Sequence, residues 1–133
     1  MFKRKKNHSI DTLIDATMKI KGSLSFSGGL RLDGKSSGNI SPAEGSAGSV
    51  IMGPKSKIIG DITTDSAIIA GEVKGNIEAI DFLELHSTAV VNGDIVYGAL
   101  EVHLGAIING TLTETKKKNI NKKINNKEIK NDK

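Results

Sequence analysis

Ile58-Ile59-Gly60-Asp61-Ile62 is followed, fifteen residues on, by Val73-Lys74-Gly75-Asn76-Ile77. The shared pattern is an aliphatic residue, a spacer, glycine, a polar residue and a second aliphatic. It occurs again as Ile20-Lys21-Gly22-Ser23-Leu24, Val91-Asn92-Gly93-Asp94-Ile95 and Ile108-Asn109-Gly110-Thr111-Leu112. Ser36-Ser37-Gly38-Asn39-Ile40 is a degenerate copy in which Ser36 replaces the first aliphatic. The glycines stand at 22, 38, 60, 75, 93 and 110, with steps of 16, 22, 15, 18 and 17. The long step contains Ser41-Pro42-Ala43-Glu44-Gly45-Ser46-Ala47-Gly48-Ser49, a turn-rich stretch that reads as an insertion at one corner. Without it the period is near 17. A fixed period of this kind marks a repeat architecture, and both positions flanking the glycine repeat together.

A second pattern runs beside the first. Alternating aliphatic pairs follow the glycines: Leu30 and Leu32, Val50 and Met52, Leu83 and Leu85, Leu100 and Val102. At the matching offset the remaining interval offers Ile68 and Ala70. Alternation with period two specifies strands, and no helical period persists over 18–112. About 17 residues is too short for a strand with a crossover helix. It suits one turn of a β-solenoid, with short strands and tight corners where glycine permits sharp bends or close backbone approach. The expected fold is therefore all-β, a single parallel β-helix of about six rungs, stacked at about 4.8 Å. Aliphatics at equivalent positions then form inner ladders. One holds Ile20, Ile58, Val73, Val91 and Ile108; another holds Leu24, Ile40, Ile62, Ile77, Ile95 and Leu112. A single rung cannot bury its inner face, whereas a stack can. The residues after the repeat glycines, Ser23, Asn39, Asp61, Asn76, Asp94 and Thr111, are corner residues expected to bond local backbone.

Composition narrows the chemistry. The 133 residues suit one domain and contain no Cys, no Trp, one Tyr and three Phe. Disulfides and thiolate metal sites are excluded, and the core cannot rest on aromatics. No apolar run approaches the roughly 18 residues of a membrane span. The basic start has no apolar h-region behind it, so a secretory signal is not expected. The net charge of +4 hides a separation: +4 over residues 1–6, +6 over 116–133 and −6 over 7–115. An acidic body carries two basic ends.

A solenoid leaves an open edge at each end, which monomeric forms block with a cap. The sequence shows no such cap before Met18 or after Leu112. Uncapped ends pair with further copies, and repetition in both directions gives a filament. The residues expected at these junctions are Leu13, Ile14, Met18, Ile20 and Leu24 at one end. At the other they are Leu100, Val102, Leu104, Ile107, Ile108 and Leu112.

From Thr12-Leu13-Ile14 through Ile20-Lys21-Gly22-Ser23-Leu24, Gly29-Leu30-Arg31-Leu32-Asp33-Gly34, Gly38-Asn39-Ile40 and Gly60-Asp61-Ile62, the chain resembles the bactofilins, bacterial polymer-forming cytoskeletal proteins. The resemblance covers about residues 12–113. It implies a right-handed β-helix with flexible tails that assembles without nucleotide through its terminal rungs. It also implies a scaffold for cell shape or for positioning envelope proteins such as cell-wall enzymes. Two departures are local: Asp15-Ala16 stands where the family often turns with Gly, and 41–49 enlarges one corner.

The expected organisation is a basic tail over 1–11, the β-helix over 12–113, and a Lys/Asn-rich disordered tail over 114–133. Met1 and Phe2 beside Lys3, Arg4, Lys5 and Lys6 are the expected contact with anionic lipid at the inner face of the cytoplasmic membrane. Each basic residue there contributes about 1 kcal/mol, and repetition along a filament adds avidity. Phe2 in place of glycine excludes myristoylation.

Other chemistry is thinly represented. His86 and His103 stand 17 apart, as do Glu84 and Glu101, and this patch reads as a solvated face repeating its period. No nucleophile–base pair and no phosphate loop is present, so no catalytic residue, cofactor or metal is expected. A left-handed acyltransferase solenoid, or another closed binding module, is the alternative; its six-residue aliphatic period fails at Lys74. Binding of nucleic acid through the Lys tails is a further alternative, but no aromatics are interleaved for base stacking, so no specific nucleic acid is expected.

Overall fold

In the computed structural model, residues 9–115 are described, and they contain sixteen short β-strands and no helix. Every strand pairing is parallel. The strands fall into three columns, and the chain passes through one strand of each column per turn. It makes about six turns.

The first column stacks Thr12–Ile14, Gly28–Leu32 and Gly48–Met52, continues through the ends of Ile62–Ile69 and Ile77–Leu85, and closes with Leu100–Val102. The second stacks Lys19–Lys21, Lys35–Ser37, Lys57–Ile59, Glu72–Lys74, Val90–Asn92 and Ile107–Asn109. The third stacks Leu24–Phe26, Ile40–Pro42, the starts of Ile62–Ile69 and Ile77–Leu85, Ile95–Tyr97 and Leu112–Glu114. The two long strands run unbroken around a corner and join the third column to the first of the next turn.

The register reproduces the expected ladders. Ile20, Ser36, Ile58, Val73, Val91 and Ile108 are successive partners. Leu24, Ile40, Ile62, Ile77, Ile95 and Leu112 form the second ladder. Inward-facing aliphatics of all three columns make one continuous core. Ser36 sits inside this core at 3% exposure, and its hydroxyl has no hydrogen-bond partner among the described residues.

One pair differs from expectation. Val50 and Met52 stack on Ala67 and Ile69, not on Ile68 and Ala70. The cause is a bulge. Between Ala79 and Phe82 the later strand carries two residues, Ile80 and Asp81, opposite the single Asp65 of the earlier one. The corner after Gly60 is thus one residue shorter than the corner after Gly75. A slip of one residue in a strand reverses its faces, so Ile68 points outward.

The corner residues also act differently from expectation. Four of the six bond the next turn, not local backbone. Asn39 Oδ1 accepts from Asp61 N–H at 2.9 Å, Asp61 Oδ1 from Asn76 N–H at 2.9 Å, and Asn76 Oδ1 from Asp94 N–H at 2.9 Å. Asp94 Oδ1 accepts from Thr111 N–H at 3.1 Å. These side chains lie along the coil axis because the glycine before each one brings its turn against the turn below. A Cβ on Gly38, Gly60, Gly75, Gly93 or Gly110 would fall 1.9–2.2 Å from the carbonyl oxygen of the preceding repeat glycine. Asn76 separates Asp61 from Asp94, so no two carboxylates stack directly in this ladder.

The two family departures have simple accommodations. Asp15 closes its own turn: Oδ2 accepts from Thr17 N–H at 3.1 Å and from Thr17 Oγ1 at 2.8 Å. The backbone bond first, then the hydroxyl bond, holds its carboxyl below the ordinary value. The 41–49 insertion folds back on the coil. Ala43 N–H donates to Phe26 C=O at 2.7 Å, and Gly28 N–H donates to Ala47 C=O at 3.2 Å.

Candidate assembly surfaces at the ends of the coil

The terminal turns are built from the same inner ladders as the middle, but among the described residues each of their six strands is paired along one edge only. The first turn comprises Thr12–Ile14, Lys19–Lys21 and Leu24–Phe26; the last comprises Leu100–Val102, Ile107–Asn109 and Leu112–Glu114. The last turn is anchored beyond its final strand, since Thr115 N–H donates to Tyr97 C=O at 2.7 Å.

Side-chain exposure follows from the missing neighbour. Val102 continues the ladder of Met52, Ile69 and Leu85, which are buried, and Leu112 continues that of Ile62, Ile77 and Ile95. Val102 and Leu112 are each 45% exposed, because no further turn among the described residues covers them. Ile108 is half-buried against Val91. Leu104 occupies the corner turn and is 95% exposed, and Ile107 faces outward on the second column. Leu100 is half-buried.

At the opposite end Leu13 is 58% exposed and Met18 is also exposed. Ile20 and Leu24 are half-buried, while Ile14, in register with Leu32 of the next turn, is buried. Ile10, which the sequence reading did not nominate, is a further exposed aliphatic ahead of the first strand. It lies outside the repeat, so periodicity gives it no signal. Met1, Phe2, Lys3, Arg4, Lys5 and Lys6 lie outside the described residues, as do 116–133.

Each end therefore joins unpaired strand edges to apolar side chains. A parallel or antiparallel strand laid on such an edge gains backbone hydrogen bonds and covers the inner ladder at once. Of the inward-facing positions of the last turn, Leu100, Val102, Ile108 and Leu112 are aliphatic, while Glu114 is charged and stands in register with Tyr97 and the buried Ala79.

The family model for bactofilin, described as polymer-forming cytoskeletal, matches residues 12–113. No curated protein and no solved structure matches the chain.

Proposed function

The chain belongs to the bactofilin family, and from this we propose that it is a filament-forming scaffold whose subunits join end to end through their terminal turns. Polymer formation is the family's description. The observation that carries the end-to-end reading is the exposure of Val102 and Leu112, inner-ladder residues whose equivalents one turn below are fully covered. Covering them with another copy extends the two aliphatic ladders that end at Val102 and Leu112. Assembly of this kind needs only strand edges and apolar contact, so no nucleotide is required.

Attachment to the inner face of the cytoplasmic membrane is part of the same proposal. It rests on the sequence of the first six residues, one Phe beside four basic side chains. A filament multiplies this weak contact. The body is acidic, so a lipid-bound filament is held by its tails and keeps its coil away from the anionic surface. Such a filament supports cell shape or positions envelope proteins, cell-wall enzymes among them.

Two measurements test the proposal. Negative-stain microscopy of the purified chain, without nucleotide and with chelator, is expected to show uniform filaments; discrete particles would refute end-to-end growth. Co-sedimentation with anionic vesicles is expected to fall on removal of residues 1–6 while filaments persist. Unchanged vesicle binding would refute the tether.

A further inference from the structure

The outward side of the first column carries a group of side chains that neither the core nor the terminal edges use. Glu84 and His86 are two apart in extended chain and share a face. Glu84 is in register with Glu101, and the stacking continues one step further. His86 N–H donates to Ile69 C=O at 2.8 Å, and His103 N–H donates to Leu85 C=O at 2.9 Å. The backbone therefore sets the two imidazoles on successive turns, with ring centroids 4.9 Å apart.

Both rings converge on one oxygen. Nε2 of His103 lies 2.8 Å, and Nε2 of His86 3.2 Å, from the same Oε2 of Glu84. Glu101 Oε2 is 3.6 Å from His103 Nε2. One ligand atom from each of Glu84, His86 and His103 lies within 4.8 Å of the others.

These distances resemble the edges of a coordination tetrahedron. With metal–ligand bonds of about 2.0–2.1 Å, two ligands of a tetrahedral ion stand about 3.3 Å apart. The His86–Glu84 edge, at 3.2 Å, already has that length, and the His103–Glu84 edge, at 2.8 Å, is a hydrogen-bond distance that must open slightly. The remaining one, between the imidazoles, closes by side-chain rotation, since both rings are half exposed. Two neutral imidazoles with one or two carboxylates form a donor set of intermediate softness, suited to zinc and its neighbours and not to calcium or magnesium. Glu84 is the most enclosed of the group, at 20% side-chain exposure, and sits between the histidines. The open side leaves room for water or for Glu101 as the fourth ligand.

We propose that Glu84, His86 and His103, with Glu101 at the rim, bind one zinc-class divalent cation across the fifth and sixth turns. The ion ties the last turn, paired along one edge only, to the turn beneath it. Binding to the folded state alone raises stability by mass action, and the gain falls on the end of the coil.

The test is calorimetric titration of the full, chelator-treated chain with ZnCl2, repeated for His86→Ala, His103→Ala and Glu101→Gln. The expected result is saturable binding of about one Zn2+ per chain. Loss of either histidine lowers affinity by at least about 100-fold, taking as a floor the upper range seen when only a supporting partner of a ligand is removed. Loss of Glu101 has the smaller effect. Thermal unfolding should rise with Zn2+ in the parent chain and not in His103→Ala. Co2+ provides a readout free of any variant: four-coordinate Co2+ gives strong visible absorption, which Zn2+ should displace. Absence of saturable Zn2+ binding, or binding that survives the double histidine substitution, would overturn the site. So would Co2+ that remains weakly coloured.

Discussion

Replacing Gly75 by alanine tests why the repeat glycines are there. A Cβ at this position would lie 2.0 Å from the Gly60 carbonyl oxygen and 2.5 Å from its carbon. Ordinary contact begins near 3.4 Å, so the two turns must part locally by about 1.4 Å. Three bonds cross that gap nearby, each at 2.9 Å: Gly60 N–H to Lys74 C=O, Ile62 N–H to Asn76 C=O, and Asn76 N–H to Asp61 Oδ1. Their loss costs about 1 kcal/mol each, and the positive φ of 153° adds roughly 1 kcal/mol for a side chain. The expected loss is about 4 kcal/mol, a large part of a typical domain's stability of about 5–15 kcal/mol. Gly45 is the control. Its φ is +80°, but a Cβ there meets nothing within 4 Å. Gly45→Ala should cost only about 1–2 kcal/mol, from the left-handed backbone alone. Reduced unfolded-state freedom favours both variants alike and drops out of the comparison. Urea unfolding followed by far-ultraviolet circular dichroism, at one protein concentration, reads the difference. With a slope of about 2 kcal/mol per molar, the Gly75 variant should unfold about 2 M earlier than the parent. Equal losses at the two glycines would refute close approach between turns as the reason for the repeat.

Ser36→Val should raise stability by about 2 kcal/mol, since it removes an unpartnered buried hydroxyl and restores the aliphatic of the ladder; Ser36→Ala should gain about 1 kcal/mol. A loss of stability in the alanine variant would show that the hydroxyl is bonded in the folded chain. Leu104→Glu should change stability by less than about 0.5 kcal/mol, as expected for an exposed site, yet abolish filaments seen by microscopy. Ile108→Glu, in the half-buried inner ladder, should instead weaken the last turn by about 3 kcal/mol. The Asp15 carboxyl is held below its ordinary value of 3.8 by Thr17, so the turn's stabilisation is complete above that value and fades as pH falls through the lower folded value. Nuclear magnetic resonance titration should show an Asp15 midpoint below 3.8, and Thr17→Ala should move it back up.

Much of the fold is legible because a solenoid writes its register into its period. Ile58, Val73 and Val91 stand at one place in the motif, and the same spacing stacks them in space. The pair at 67 and 69 was not legible, because the corner before it is one residue shorter and counting from glycine gives the wrong face. The stacking on Val50 and Met52, and the bulge at Ile80 and Asp81 one turn on, show which residues turn inward. The axial bonds of Asn39, Asp61, Asn76 and Asp94 were hidden for a related reason. Sequence marks them as corner residues but does not show that close-packed glycines bring the next turn's N–H within reach. At the ends, the periodicity identified Leu112 as a ladder residue and Val102 as one of an alternating pair, while the near-complete exposure of Leu104 depends on a turn that carries no motif. The convergence of His86 and His103 on one Glu84 oxygen depends on side-chain rotamers, which the 17-residue spacing alone does not specify.

The continuity of the coil across subunits is tested most directly by the axial rise per subunit in the purified filament, measured by electron cryomicroscopy. Six turns at about 4.8 Å predict a mean rise of about 29 Å per subunit, with the strand spacing unbroken through each junction. A clearly different rise, or filaments in which the terminal turns of neighbouring subunits do not meet, would contradict assembly through the open ends.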